Sequence, residues 1–326
     1  MRLSSKHLSV VGLLLFMLIL SRIDVYTTLW IIAGLNPVYI LACLLSVAIE
    51  VLIRALRWKI LVNQFTKGYS LPDSIQTFIM GVAFGAVTPG RVGDIIKAFD
   101  IRDRGVELKR ALSIEILDRL LDFFYLFLAA AAGYLFLIVV ASGLNYNLLL
   151  IVLVVLLLSS FTCLMFSTSS VRRMLKPIHR LLVPGRFKDQ SKQLFEVFQD
   201  TLSIIRRPYL FLEIVLLTAC WWTVLFLRPY ILGVGIGLEL NPLVFLFAMP
   251  VVLVIEILPV SLLGIGTRDA GLIAVFSLLG VPAETMVAVS LMMLFLSILP
   301  QVIAGYFIAY KKGVSLNLFT ENAPDG

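Results

Sequence analysis

The sequence predicts an all-α polytopic membrane protein: about six transmembrane helices plus two re-entrant or broken helical hairpins, arranged as an inverted repeat. Three observations predict it. Sixty per cent of the 326 residues are hydrophobic and only 14% are charged, against roughly 45–50% and 25% in soluble domains. Mean hydropathy is +1.01, more apolar surface than a folded sphere can hide, so lipid must solvate most of it. The apolar residues also fall in runs that can cross about 30 Å of hydrocarbon, which takes about 20 helical residues, with Lys and Arg gathered between the runs.

Six runs read as spans, near residues 8–22, 38–58, 111–140, 147–166, 208–232 and 285–310. The first is short and follows M-R-L-S-S-K-H, the charge pattern of a signal peptide. No A-x-A-like cleavage site follows it; Ser21-Arg22-Ile23-Asp24 comes next, so it is read as an uncleaved span. Residues 24–35 read as a short interfacial helix. Two further apolar stretches are interrupted: 74–99, broken at Thr88–Gly93, and 243–280, broken at Pro259–Thr267. Proline removes a backbone donor and glycine loosens a helix. Within lipid such backbone survives only where protein or a water-filled cavity covers it. The alternative is a pair of proline-kinked ordinary helices.

Basic residues set the orientation. Twenty-three of the 27 Lys and Arg fall in the N-terminal segment, residues 54–73, 91–110 and 167–207, and the C-terminal segment. The opposite loops near 141–147 and 233–242 carry none. By the positive-inside rule this expects a cell-membrane protein with both termini cytoplasmic. The chain is then a single membrane domain of two halves, 1–140 and 141–326, with the same element order and opposite orientation. Inverted repeats with interrupted helices in matching positions point to a transporter-type site near the bilayer midplane.

Composition narrows the chemistry. The net charge of +7 does not read as a nucleic-acid footprint, because the basic residues flank spans rather than forming a soluble patch. Cys43, Cys163 and Cys220 lie in apolar runs without C-x-x-C spacing, and His7 and His179 are the only histidines. No disulfide framework, zinc site or cofactor is expected.

Four constellations remain. In the third span Glu115, Asp118, Arg119 and Asp122 fall at i, i+3, i+4 and i+7, one face of a helix. An ionised residue at a helix centre costs roughly 2.5–3.5 kcal/mol in lipid, so the stripe faces the bundle or a cavity. It reads either as a charge network tied to Arg91 or Arg268, or as a coupling site or gate. In the first break, Gly90, Arg91, Gly93, Asp94 and Lys97 set a flexible turn beside a cation that suits phosphate; a cytoplasmic turn with snorkelling basic residues is the equal alternative. The second break repeats the theme with Gly264, Gly266, Arg268 and Asp269. Glu50, Arg54, Arg57 and Trp58 close the second span and read as a membrane-interface belt. The 167–207 loop, with nine basic residues, reads as a surface for anionic lipid or as an orientation signal alone.

Together these residues resemble a known family. R-A-L-R-W at 54–58, T-P-G-R-V-G-D at 88–94, E-I-L-D-R-L-L-D at 115–122 and P-V-S-L-L-G-I-G-T-R-D at 259–269 look like the flippase-like membrane domain family. That family includes the membrane-spanning region of lysylphosphatidylglycerol synthases, and the likeness runs over essentially the whole chain. Family members usually show Glu where Asp94 and Asp269 stand here, a shorter carboxylate with the same charge.

The resemblance implies translocation of an anionic or aminoacylated phospholipid, or of a polyprenyl-phosphate-linked lipid, without aminoacyl-transfer chemistry. In the bifunctional synthases that chemistry belongs to a separate soluble domain, and only about 16 residues follow the last predicted span. The expectation is a non-enzymatic translocator in which Arg91 and Arg268, helped by backbone N–H groups, receive the phosphate. Glu115, Asp118 and Asp122 would pair with those arginines in the empty site or carry a proton. Expected partners are membrane lipids, with an anionic headgroup as substrate; a homo-oligomer or a lipid-synthesis enzyme partner is compatible. Two other classes stay open: an integral-membrane lipid-modifying enzyme holding Mg²⁺ on the acidic stripe, and a non-transporting scaffold for a lipid-synthesis or glycosylation partner.

Overall fold

A computed structural model describes residues 5–142, 197–198, 200–202, 207–257 and 261–313. The expected fourth span at 147–166, Cys163, His179 and most of the basic loop at 167–207 lie outside the described residues. Every regular element among the described residues is helical. Among the described residues, four helices are long and apolar enough to cross a membrane, five if one bent pair counts as a span.

That pair comprises α1 (Ser5–Leu20) and α2 (Val25–Ala33), set at 93° to each other. Asp24 makes the corner by accepting from Tyr26 N–H at 2.9 Å and the Thr27 hydroxyl at 2.5 Å, which caps α2. The long α3 (Pro37–Val62) starts on an Asn36 cap with proline in its first turn, where the missing N–H goes unused. α6 (Leu108–Ala141) and α7 (Pro208–Gly235) are the next two spans. The last, α10 (Ala283–Lys311), carries a π turn at Leu294–Ile298. Pro300 explains the turn: its ring cannot sit against the carbonyl one helical turn back, so the ladder widens there.

The interrupted stretches are hairpins, not kinked spans. In the first, α4 (Leu71–Ala86) leads to a 3₁₀ turn (Pro89–Ile95) and back through α5 (Ile96–Arg102). The arms run antiparallel: Asp73 meets Arg104, Thr77 meets Asp100, Gly81 lies under Lys97 and Gly85 under Asp94. In the second, α8 (Pro242–Glu256) returns as α9 (Thr267–Ser277), with Val252 on Gly271 and Glu256 on Gly264. Pro259, within the second break, lies outside the described residues.

The packing between the parts is exchanged. α6, which follows the first hairpin, lies along α8 of the second; α10, which follows the second, lies along α4 of the first. Both approaches are close because a glycine faces a backbone carbonyl: Gly133 on Phe247, and Gly305 on Ile79. α3 and α7 pack against each other between these pairs.

The open end of the first hairpin is tied down by polar contacts. Lys312, just past α10, reaches Asp100 at 2.8 Å, Arg104 reaches Asp73 at 3.0 Å, and the Tyr69 hydroxyl donates to Thr77 at 2.8 Å. Burial pushes the Tyr69 hydroxyl up to about 12, so it remains a donor throughout the physiological range. The Ser70 hydroxyl, followed by Arg104, holds the Asp73 carboxyl below its ordinary range. Its contribution is therefore present above the usual carboxylate range and fades as pH falls through the lowered value.

Replacing Gly133 or Gly305 by Leu should separate the helix pairs. Each substitution is expected to lower stability by about 1–3 kcal/mol, the usual cost of overpacking, measured as the unfolding midpoint in detergent.

Candidate functional site

The interior is organised by a ladder of alternating charges. Lys97, on the return arm of the first hairpin, lies 2.7 Å from Glu115 and 3.0 Å from Asp118. Arg57 lies 2.7 Å from Asp118 and 2.6 Å from Asp122, and also donates to Thr218 at 2.9 Å. Arg54 reaches Asp122 at 3.7 Å and Glu50 at 3.3 Å, stacked over the rings of Phe78 and Trp221. Glu50 then takes Arg228 at 2.6 Å, and Arg228 also donates to Ser46 at 3.0 Å and to Ser297, in the π turn, at 2.7 Å. All eight of these charged groups are buried. Four cations and four carboxylates thus neutralise one another across α3, α5, α6 and α7.

The helical period dictates this register. Glu50, Arg54 and Arg57 share a face of α3, as Glu115, Asp118 and Asp122 share a face of α6. In a medium without water each charge must find its partner on the neighbouring helix. The cytoplasmic-interface position expected for Glu50, Arg54, Arg57 and Trp58 is therefore corrected: Trp58 is 0% exposed and Arg57 1%, and Lys97 sits over the Trp58 ring. Lys97 is likewise interior rather than a snorkelling loop residue. The partners expected for the acidic stripe also change. Glu115, Asp118 and Asp122 pair with Lys97, Arg57, Arg54 and Arg119, not with Arg91 or Arg268.

A cavity of about 570 Å³ opens beside the ladder. Both hairpin tips line it: Thr88, Arg91 and Asp94 from the first, Glu256, Ser261, Leu263, Gly264 and Arg268 from the second. Glu50 and Arg54 of α3, Glu115, Arg119, Asp122 and Phe123 of α6, Trp221, Trp222 and Arg228 of α7, and Ser297 and Gln301 of α10 contribute further wall. The two arginines of the interrupted motifs, Arg91 and Arg268, thus share one hollow.

They differ in how they are held. The Arg91 side chain is 50% exposed, with Asp94 at 3.6 Å as its nearest carboxylate. Asp94 is held chiefly by Arg119, which also takes Glu115 at 3.0 Å. Arg268 is buried and has no ion pair among the described residues. Its guanidinium donates to the Ser290 hydroxyl at 2.9 Å, the Ser290 carbonyl at 3.1 Å and the Leu263 carbonyl at 3.4 Å.

The glycines act as spacers more than as anion cradles. Gly93 N–H is taken by the Thr88 hydroxyl at 2.7 Å, and Gly266 N–H by Asp269 at 2.7 Å, so the expected backbone donation from these two to a headgroup is not available. A side chain at Gly93 would meet the Phe84 carbonyl, and one at Gly266 the backbone of α1 at Gly12. Gly90 lies in the 3₁₀ turn. Each tip also holds one residue other than glycine in the left-handed region, Arg91 at φ 56° and Leu263 at φ 57°. Such strain concentrates at functional sites.

Sequence reasoning missed Arg228 and Glu256. Arg228 carried the same signal as Arg119, a charge inside an apolar span. Glu256 stands one turn before the second break, and its partial exposure to the cavity follows from the hairpin geometry alone.

Fold and site together define a polytopic helical membrane protein whose paired hairpins enclose a charged, arginine-bearing cavity. The chain belongs to the family described as the lysylphosphatidylglycerol synthase TM region, which it matches over residues 7–305. No curated protein matches it.

Removing one rung should cost more than removing two. Lys97→Met alone is expected to destabilise by about 3–5 kcal/mol by stranding a buried charge. Adding Glu115→Gln should recover part of that loss, measured by unfolding in detergent. Leu263→Gly, which relieves a strained backbone, should raise the unfolding midpoint by about 1–2 °C, corresponding to about 1 kcal/mol.

Proposed function

We propose that this protein moves a phosphate-bearing lipid between membrane leaflets, its headgroup passing through the cavity between the hairpin tips. Candidate cargoes are an anionic or aminoacylated phospholipid, the latter suggested by the family's name, or a polyprenyl-phosphate-linked lipid. The observation that carries this reading is the convergence of Arg91 and Arg268, from two separate interrupted segments, on one cavity. A phosphate cannot cross hydrocarbon without a substitute for water, and arginine supplies a fork of donors matched to it. Arg91 is the receiving cation, being half-exposed and only loosely held by Asp94. Arg268 sets the shape of the second tip through the Leu263 carbonyl and adds positive potential.

The reading includes an inverted repeat, with halves 1–140 and 141–326 and both termini in the cytoplasm of a cell-membrane protein. The exchanged packing supports it: α6 on α8 through Gly133 has its counterpart in α10 on α4 through Gly305. The distribution of Lys and Arg supports the orientation. We read the chain as a translocator rather than an enzyme, and the charge ladder as the rigid frame against which the hairpin tips move.

In vesicles containing the purified protein, a labelled anionic phospholipid should exchange between leaflets at least tenfold faster than in protein-free vesicles. Arg91→Ala should reduce that rate about tenfold, and Arg268→Lys should retain more activity than Arg268→Ala. Unchanged rates in both alanine variants reject the assigned roles. Metal-dependent chemical turnover of the lipid would instead assign an enzyme.

A further inference from the structure

Among the described residues that line it, the cavity is electrically balanced when every group is ionised: five arginines (54, 91, 119, 228 and 268) face five carboxylates (Glu50, Asp94, Glu115, Asp122 and Glu256). A lipid phosphodiester adds one negative charge to this neutral set. In a poorly solvated interior an uncompensated charge is strongly disfavoured. One positive charge must therefore arrive with each phosphate.

Among the described residues, only one cavity carboxylate is open to it. Glu50 is paired with Arg228 and Arg54, Asp94 with Arg119, Glu115 with Lys97 and Arg119, and Asp122 with Arg57. Glu256 has no ion pair among the described residues, and its Oε2 is buried without a hydrogen-bond partner. It still lies within electrostatic reach of Arg268 and Arg91, the two arginines of the hairpin tips. Its carboxylate rests on Gly264, where any side chain would overlap it, so the second tip is shaped to admit it. The charged groups facing it are Arg268 and Asp269 from α9 and Arg91 and Asp94 from the first tip. Arg119 and Asp122 of α6 face the same cavity.

We propose that Glu256 receives one positive charge together with each lipid phosphate, either the headgroup's own ammonium or a proton. The inference rests on the lipid-translocation reading above and deepens it, because it makes transport electroneutral. An ammonium-bearing phospholipid brings its own compensation. An anionic phospholipid moves with one proton, which Glu256 takes up as the headgroup takes over its electrostatic pairing with Arg91 and Arg268.

The test uses the full chain in phosphatidylcholine vesicles carrying a trace of labelled phosphatidylglycerol or labelled phosphatidylethanolamine. A diffusion potential or a pH gradient is imposed, and the final leaflet distribution of the label is read. A lone anion moving through the protein would redistribute roughly 50-fold for 100 mV, from about 2.3 kcal/mol per charge. In the wild type, phosphatidylglycerol should instead follow the pH gradient and ignore the potential. Phosphatidylethanolamine should follow neither. Movement of the ethanolamine lipid alone also supports the proposal, with the ammonium as the source of charge. In Glu256→Gln, phosphatidylglycerol should become voltage-sensitive, and Glu256→Asp should restore the wild-type behaviour.

A wild-type protein that moves phosphatidylglycerol with the same voltage response as Glu256→Gln overturns the role of Glu256 and leaves lipid translocation standing. A wild-type protein that moves neither label overturns both. An unfolding midpoint in Glu256→Gln matching the wild type separates a lost charge from a lost fold.

Discussion

Charge held away from water is the constraint that shapes this molecule. Among the described residues, seven cationic and seven acidic side chains, Asp269 included, gather in or beside one hollow, and eight of them form a continuous alternation from Lys97 to Arg228. Bilayer lipid gives little hydrophobic preference for one helix register over another. Ion pairing does, because a slip of one residue would turn a whole stripe from its partners toward hydrocarbon. Arg57 thus registers α3 against α6, Lys97 fixes the return arm of the first hairpin, and Arg228 draws α7 toward the π turn of α10. The cavity is the space left where these registered helices meet the two hairpin tips.

Much of this was legible in the sequence, for definite reasons. Hydropathy and the lengths of the apolar runs marked α3, α6, α7 and α10, and the proline and glycine clusters marked the two hairpins. The acidic stripe on α6 followed from its spacing and the cost of placing it in lipid. Its partners did not follow, because pairing between helices depends on which faces meet, and sequence spacing constrains faces only within one helix. Arg54, Arg57 and Lys97 read as loop cations because each stands near the end of an apolar run; only the packing shows that α6 reaches past them. The glycine motifs read as anion cradles for a related reason. Whether a backbone N–H is free depends on side chains such as Thr88 and Asp269, whose rotamers the sequence does not specify.

The two tips solve one problem with different means. Each turns the chain sharply inside a crowded bundle, and each holds a bulky residue at positive φ, Arg91 in one and Leu263 in the other. The first leaves its arginine half-exposed and leans on the Asp94–Arg119 pair. The second buries its arginine against Ser290 and leaves a carboxylate, Glu256, facing the hollow. Each tip sets an arginine and a carboxylate on the same space, but the more exposed charge is a cation on the first and an anion on the second, which gives the cavity an internal direction despite its neutral sum.

The exchanged packing carries a consequence for how the protein is made. Gly305, which covers the first hairpin at Ile79, lies more than two hundred residues downstream of it. At roughly 5–20 residues per second of synthesis, the first hairpin waits on the order of ten seconds or more before its cover emerges. During that interval the flank of α4 at Ile79 and Ala83 lacks its protein cover, so the order of membrane integration becomes part of the folding problem. A chain stopped before α10 would leave that flank of α4 bare, a feature that cellular quality control can read.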